Sequence, residues 1–241
     1  AVEQQEITFR AFGVQFSAVS DYRTPLYETI AEIADYDCYQ LAGLPLTEHP
    51  ELVVIDVGAN VGISALALSA LHQGPIVCFE PIPDNCSTLQ RNLERNSLDR
   101  VTVLPYAIGS RSGRHNAHMD PDFSVSARTD GVEPDEASEV VAVDMLTLDE
   151  ALAAAGANQV LLMKIDCEGA EYDILEQLNE RLARRIRFIS LEVHDVSPTR
   201  NVGVLKRQLE ALGYTVTYRP EMQRRPQLHH LLAARSDSPT D

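Results

Sequence analysis

Short apolar runs alternate with amphipathic helical patterns along most of the chain, the rhythm expected of a parallel sheet covered on both faces. The first run, Leu52–Val57, precedes a helix that sets Ile63, Leu66, Ala67, Ala70 and Leu71 on one face. A second strand over Ile76–Glu80 leads through Pro81 and Pro83 into a helix with Cys86, Leu89 and Leu93 inward, and Val101–Leu104 reads as the third strand. A helix around Leu148–Ala155 and a strand over Val160–Ile165 follow a looser stretch. Next come a helix burying Ile174, Leu175, Leu178 and Leu182, the strand Phe188–Val193, and a helix with Val202, Leu205, Leu209 and Leu212 inward. Gly213 closes that last helix at its C′ position. Two final strands, Tyr214–Tyr218 and Leu228–Ala233, are joined by a connection too short for a helical crossover. The pattern therefore predicts an α/β fold with a seven-stranded, mostly parallel sheet and an antiparallel last strand.

The same pattern divides the chain into an extension over 1–48, a sheet domain over 49–235 and a loose polar tail over 236–241. In the extension, Thr24 caps a predicted helix over Pro25–Tyr39, with Pro25 at its first position and Leu26, Ile30, Ile33 and Ala34 on one face. Residues 110–139 show little periodicity and read as an irregular insertion. Extension and insertion together are the expected lid, with Tyr22, Tyr27, Tyr36, Tyr39 and Phe123 either lining a pocket or packing the helix on the domain.

Composition narrows the function. At 241 residues and 44% hydrophobic, the chain has room for one sizeable core. No apolar run approaches the roughly 20 residues of a membrane span. The start, with Glu3 and Glu6, lacks the basic flank and apolar stretch of a secretion signal. Cys38, Cys78, Cys86 and Cys167 form no CxxC pair and suit reduced thiols, so a soluble cytoplasmic protein without a membrane partner is expected. A net charge of −16 argues against nucleic acid as partner. The local basic cluster Arg181, Arg184, Arg185 and Arg187 reads as a solvated helix end.

Candidate chemistry gathers where strands end. Asp56-Val57-Gly58-Ala59-Asn60-Val61-Gly62 joins the first strand to the first helix. Such a turn exposes backbone N–H groups and lets a ligand approach without Cβ interference. Asn60 stands where a dinucleotide fingerprint has its second glycine and Ile63 where it has its third, so a pyrophosphate site is a poor match. The aminocarboxypropyl part of S-adenosylmethionine fits better. Glu80, followed by Pro81, lies about 20 residues beyond Gly58 at the end of the second strand, where an acid accepts hydrogen bonds from ribose hydroxyls. Tyr106 and Ala107, past the third strand, are placed to border an adenine.

At the other end, Lys164-Ile165-Asp166-Cys167-Glu168-Gly169-Ala170-Glu171 closes the fourth strand. Alternation puts Lys164 and Asp166 on one face, and likewise Glu192 and His194 in the fifth strand. Asp166 is placed to hold the cofactor's amino group or complement a sulfonium. Lys164 either serves catalysis or neutralises Glu192 or Asp166, and Glu171 suits a helix dipole. His194 is the candidate general base with Glu192 as its orienter, against the alternative of a buried ring satisfied by backbone. Asp166, Glu192 and His194 also allow a divalent metal, which the sequence does not require. His115 and His118 have metal-like spacing but fall in the loose segment.

These motifs together, DVGANVG, the FEP-type strand end, KIDCEGAE and LEVH, resemble the FkbM-type methyltransferases over roughly residues 50–195. The resemblance implies a Rossmann-like class I methyltransferase fold and S-adenosylmethionine as donor. It also implies O-methylation of a small-molecule hydroxyl, usually on a secondary metabolite such as an antibiotic or on a sugar. On matching positions it implies cofactor contacts at Asp56, Gly58, Asn60, Gly62 and Glu80, with Asp166 near the methionine portion; Ala59, Pro81, Tyr106, Ala107 and Glu168 complete the expected cofactor set. A macromolecular methyl acceptor, or a cofactor-binding module without chemistry, are the alternatives. The reading also leaves room for a homo-oligomer.

Overall fold

The computed structural model describes residues 4–21, 26–120, 123–129, 139–167, 169–220 and 228–236. Tyr22, Thr24, Pro25, Glu168 and most of the polar tail lie outside the described residues. The chain opens with a hairpin, β1 (Gln4–Ala11) and β2 (Val14–Asp21), followed by α1 (Leu26–Ile30), which continues as a π-helical turn over Ala31–Asp35. The sheet domain runs β3 (Val53–Val57), α2 (Ile63–Leu71), β4 (Ile76–Phe79), α3 (Pro83–Arg95) and β5 (Val101–Leu104). Then come β6 (Ala107–Ile108), β7 (Gly113–Asp120), β8 (Phe123–Thr129), β9 (Glu139–Leu146) and α4 (Leu148–Ala154). The rest is β10 (Val160–Ile165), α5 (Glu171–Leu175), α6 (Glu180–Ala183), β11 (Ile186–His194), α7 (Val202–Ala211), β12 (Thr215–Pro220) and β13 (Leu228–Ala234).

The central sheet has seven strands in the order β12-β13-β11-β10-β3-β4-β5. β13 runs antiparallel to both neighbours, while β3, β4, β5, β10 and β11 are parallel, as the apolar rhythm and the short final connection predict. The chain moves outward from β3 in one direction and returns to β10 on the other side. Their shared edge is the topological switch point, where ligands of open α/β sheets bind. Alternate residues of the buried strands feed two cores. Val54, Leu162 and Phe188 face the hairpin, α2 and α3. Ile55, Met163 and Ile189 face α4 to α7.

Two regions differ from expectation. The extension carries the expected helix in shorter form, preceded by a hairpin. Phe12 and Gly13 both have positive φ (47° and 85°), which closes a two-residue turn, and Phe9 stands directly opposite Phe16. Phe9, Ala11, Phe16 and Ala18 are buried against the first core. Within 110–139, expected to be irregular, the described residues form β7, β8 and the start of β9, which join β6 in a four-stranded sheet. Among the described residues, Ala117 and Val143 pack beneath it against Ile82. The predicted helix over 174–182 is two helices, the second capped by Asn179, whose side chain accepts the N–H of Leu182.

Two asparagines one helical turn apart, Asn92 on α3 and Asn96 at its C-cap, bind the hairpin. Asn92, fully buried, accepts the N–H of Val19 at 2.7 Å and donates to the carbonyls of Val19 (3.0 Å) and Val61 (2.7 Å). Asn96 brackets Ser17 in the same way, accepting its N–H at 3.0 Å and donating to its carbonyl at 2.7 Å. Net worth per hydrogen bond is near 1 kcal/mol, and orphaned buried partners add more, so Asn92→Ala is expected to lower unfolding free energy by about 2–4 kcal/mol. Urea denaturation of the full chain measures it; a loss under about 0.5 kcal/mol would show that this bracket does not hold the hairpin.

Candidate active site

β3 ends in the turn 58–62, whose backbone turns through left-handed conformations at Gly58 (φ 76°), Asn60 (φ 49°) and Gly62 (φ 93°). A Cβ on Gly58 would lie 1.8 Å from the carbonyl oxygen of Asp166, so glycine is what lets the tips of β3 and β10 close together. The sequence predicts exposed N–H groups here, and the structure differs. The amides of Gly58 and Ala59 both donate to Phe79 O, Asn60 N donates to Glu80 Oε2 at 2.8 Å, and Gly62 N donates to Ala59 O. The turn is thus laced to the end of β4, and the Ala59 side chain packs in the first core. Asn60 Oδ1 is buried and takes no hydrogen bond from the described residues.

Glu80 stands at the carboxyl end of β4, beside the turn. Its Oε1 accepts from Ile82 N (2.9 Å) and Asn85 Nδ2 (3.3 Å). Burial pushes its carboxyl up to about 7, against the opposing pull of the Ile82 and Asn60 amides. Pro81 follows it half-buried. Past β5, Tyr106 packs on the second core and Ala107 pairs with Met145 in the smaller sheet.

A polar row crosses the middle of the sheet on the face covered by the extension. Lys164 of β10 lies directly opposite Asp56 of β3 on one side and Ser190 of β11 on the other. Its ammonium is 3.2 Å from Asp56 Oδ1 and 3.4 Å from Asp166 Oδ2, at 2% exposure, and 5.1 Å from the Tyr39 ring centroid. Burial pulls the Lys164 amine down, but Asp56, Asp166 and Glu192 outweigh it and hold the group well above its ordinary value. Asp56 is fully buried and its other oxygen accepts from Ser64 Oγ at 2.5 Å. The Asp56 side chain therefore braces the turn from beneath and has no surface to offer a cofactor, unlike the contact its motif position implies. Asp166 accepts the Tyr39 hydroxyl at 2.7 Å. Burial raises its carboxyl, while Lys164 and the Tyr39 hydrogen bond lower it, with a net shift downward. The Tyr39 phenol is held well above its usual value by burial and by Asp166 and Glu192, so it stays a donor.

The row continues along β11. Glu192 faces His230 of β13 across the ladder at 3.2 Å (Oε2 to Nε2) and His194 at 3.5 Å (Oε1 to Nε2). The Tyr39 ring meets the His230 ring edge-on at 5.3 Å, which joins Asp166 to Glu192 through side-chain contacts. His194 Nδ1 lies 3.2 Å from Glu171 Oε1.

All four catalytic candidates, Lys164, Asp166, Glu192 and His194, thus come together on one face. Lys164 pairs with Asp166, one of the two partners its position in the sequence suggests, and also with Asp56, a pairing set by cross-strand register, which spacing does not encode. Tyr39, Glu171 and His230 are part of the site as well. Among the aromatic candidates, Tyr39 reaches it, whereas Tyr27 and Tyr36 are 65% and 53% exposed. No group of three or more His, Cys, Asp or Glu among the described residues has metal-holding geometry. Asp166, Glu192 and His194 form no such group. His115 and His118 fall on a strand, where their spacing does not have the meaning it has on a helix. Arg181 and Arg185 pair with Asp149, Arg184 with Glu180, and Arg187 meets His49.

The strand order, with its switch point between β3 and β10, and the acid ending β4 define a class I methyltransferase architecture. A family model, the methyltransferase FkbM domain, matches residues 56–219, and the chain belongs to that family of methyltransferases. It is 30% identical over 164 residues to the 2-O-methyltransferase NoeI of Sinorhizobium fredii, covering 62% of this chain and 66% of that protein. It is 27% identical over 216 residues to the 31-O-demethyl-FK506 methyltransferase FkbM of Streptomyces tacrolimicus, covering 77% of this chain and 80% of that one. An rRNA methylase of Streptococcus thermophilus superposes with a TM-score of 0.51 at 9% identity, covering 84% of this chain and 95% of that one, a likeness of fold alone.

Removing the central cation leaves Asp56 buried with its charge uncompensated. Lys164→Met is expected to destabilise the chain by about 3–5 kcal/mol, the range for breaking a buried pair. Thermal and urea unfolding check it; a variant as stable as the parent would mean the ammonium is not what holds β3 and β10 together.

Proposed function

We propose that this chain is an S-adenosylmethionine-dependent O-methyltransferase acting on a hydroxyl of a small molecule, a sugar or a secondary metabolite. The observation that carries the reading is a histidine on the crevice side of the β11 tip, gripped at Nδ1 by Glu171 and faced at Nε2 by Glu192. An alcohol becomes an adequate nucleophile only as its proton leaves, and an imidazole so placed serves as the acceptor of that proton. The names of the relatives, the 2-O-methyltransferase NoeI and the 31-O-demethyl-FK506 methyltransferase FkbM, support the choice of oxygen. The acidic balance of the chain supports a small acceptor over nucleic acid.

The residues around the switch point fit the donor. When bound, it supplies an electrophilic methyl group on a positively charged sulfur. Glu80 Oε2 keeps acceptor capacity for a ribose hydroxyl, since a carboxylate offers about four acceptor positions and three are used. Asn60 Oδ1 is a buried acceptor in want of a donor. Asp166, held anionic by Lys164 and Tyr39, complements an ammonium or a sulfonium. Pro81, Tyr106 and Ala107 border the adenine side, and Tyr39 brings the extension in as a wall.

Ribose hydroxyls donate more strongly to the ionised form of Glu80, whose carboxyl burial raises to about 7. Donor-product binding therefore releases a proton, and affinity falls as pH drops below 7, by at most about tenfold per unit. Calorimetry with S-adenosylhomocysteine in buffers of different ionisation enthalpy reads the proton directly. Glu80→Gln is expected to bind at least tenfold more weakly and to lose this pH dependence. Absence of any binding by the parent chain would end the proposal.

Transfer of a tritiated methyl to a panel of methyl glycosides and polyol metabolites tests the acceptor class. With any acceptor found, His194→Ala is expected to cut turnover by about 100-fold or more while S-adenosylhomocysteine affinity stays within twofold. Undiminished turnover would remove the histidine from the reaction.

A further inference from the structure

We infer that Glu171 is a positioning residue for the proton transfer, deciding which ring nitrogen of His194 exchanges its proton; this rests on the reading of His194 as base. By position Glu171 is an ordinary acid in the first turn of α5, but its side chain is fully buried. Oε1 accepts two donors from one residue, the backbone N–H of His194 at 2.9 Å and ring Nδ1 at 3.2 Å. Oε2 accepts Gly169 N at 2.7 Å. Both oxygens thus act as acceptors, and the histidine's own N–H places one of them beside its ring. Nδ1 is at hydrogen-bond distance from this acceptor and so carries the hydrogen of the neutral ring, whereas Nε2 stands further from its own facing carboxylate. Nε2, on the side of Glu192 at 3.5 Å, is the nitrogen whose proton comes and goes.

The same carboxylate ties the turn after Asp166 to the tip of β11, which sets the base and the anion of the donor site in one frame. The step balances. The acceptor oxygen bonds the methyl carbon while the carbon–sulfur pair stays on sulfur as a neutral thioether. The hydroxyl proton passes to Nε2, and the resulting imidazolium points its Nδ1–H at Glu171. Holding a histidine by its far nitrogen in this way selects the tautomer and the ring orientation together.

The test is made on the full chain labelled with ¹⁵N in its histidine rings, with His194 signals assigned by their loss in His194→Ala. In the parent chain the neutral His194 ring is expected to carry its hydrogen on Nδ1. Glu171→Leu, which removes the acceptor at similar volume, is expected to shift the tautomer ratio at least tenfold toward Nε2–H. Glu171→Asp, which keeps an acceptor, is expected to retain part of the Nδ1–H population. A parent ring protonated on Nε2 alone overturns the inference, and so does a ratio unchanged in Glu171→Leu; should that variant not fold, the parent spectrum decides. The two readings fail separately. The wrong tautomer removes the role of Glu171 but leaves any requirement for His194 in turnover, whereas undiminished turnover in His194→Ala removes the base and leaves the tautomer result in place.

Discussion

The ammonium of Lys164 is the point on which the site is built. A charge at 2% exposure persists only if carboxylates surround it, and the two that do stand at the ends of different segments. Asp56 is the penultimate residue of β3, and Asp166 follows β10. Pairing both to one cation holds the two tips of the switch point at a fixed separation, the same separation that leaves no room for a Cβ on Gly58. Tyr39 then closes the arrangement from the extension, donating to Asp166 and placing its ring face near the ammonium. Three parts of the chain far apart in sequence are thereby locked around a single charge.

The extension is therefore part of the catalytic domain's packing. α2, with Ile63 to Ser69 all buried, has no solvent face, and the hairpin supplies the layer that covers it. Asn92 joins that layer to the turn 58–62 by donating to Val19 and Val61 from one amide. Movement of the hairpin would be felt at the carbonyl of Val61, inside the turn that holds Asn60 and Gly62 in left-handed conformations.

Along β11 the chemistry follows from alternation. Ile189, Leu191 and Val193 fill the second core, so Glu192 and His194 must face the other way, into the polar row. Burial of so many ionisable groups would be prohibitive if each stood alone. Here each one has a partner of complementary role: Lys164 for two aspartates, Glu192 for two histidines, and Glu171 for the ring and backbone of His194.

Much of this was legible in the chain itself. Period-2 and period-3.6 patterns determine local structure, so the seven strands, most of the helices, and the placement of Glu80, Asp166 and His194 at strand tips could be read directly. The hairpin left a signal too: Ile7, Phe9 and Ala11 alternate, and the charge-free helix ISALALSAL demands cover on every side. What sequence alone left open was every relation set by register or by contact between distant segments. Asp56 meets Lys164 because β3 and β10 pair in one particular register, and Glu192 meets His230 because β13 runs antiparallel beside β11. Glu171 looks like a helix-start acid until the fold brings β11 against it. Spacing dictates which face a side chain takes, and only the assembled sheet decides what stands opposite, because non-local pairing has no period for a linear pattern to record.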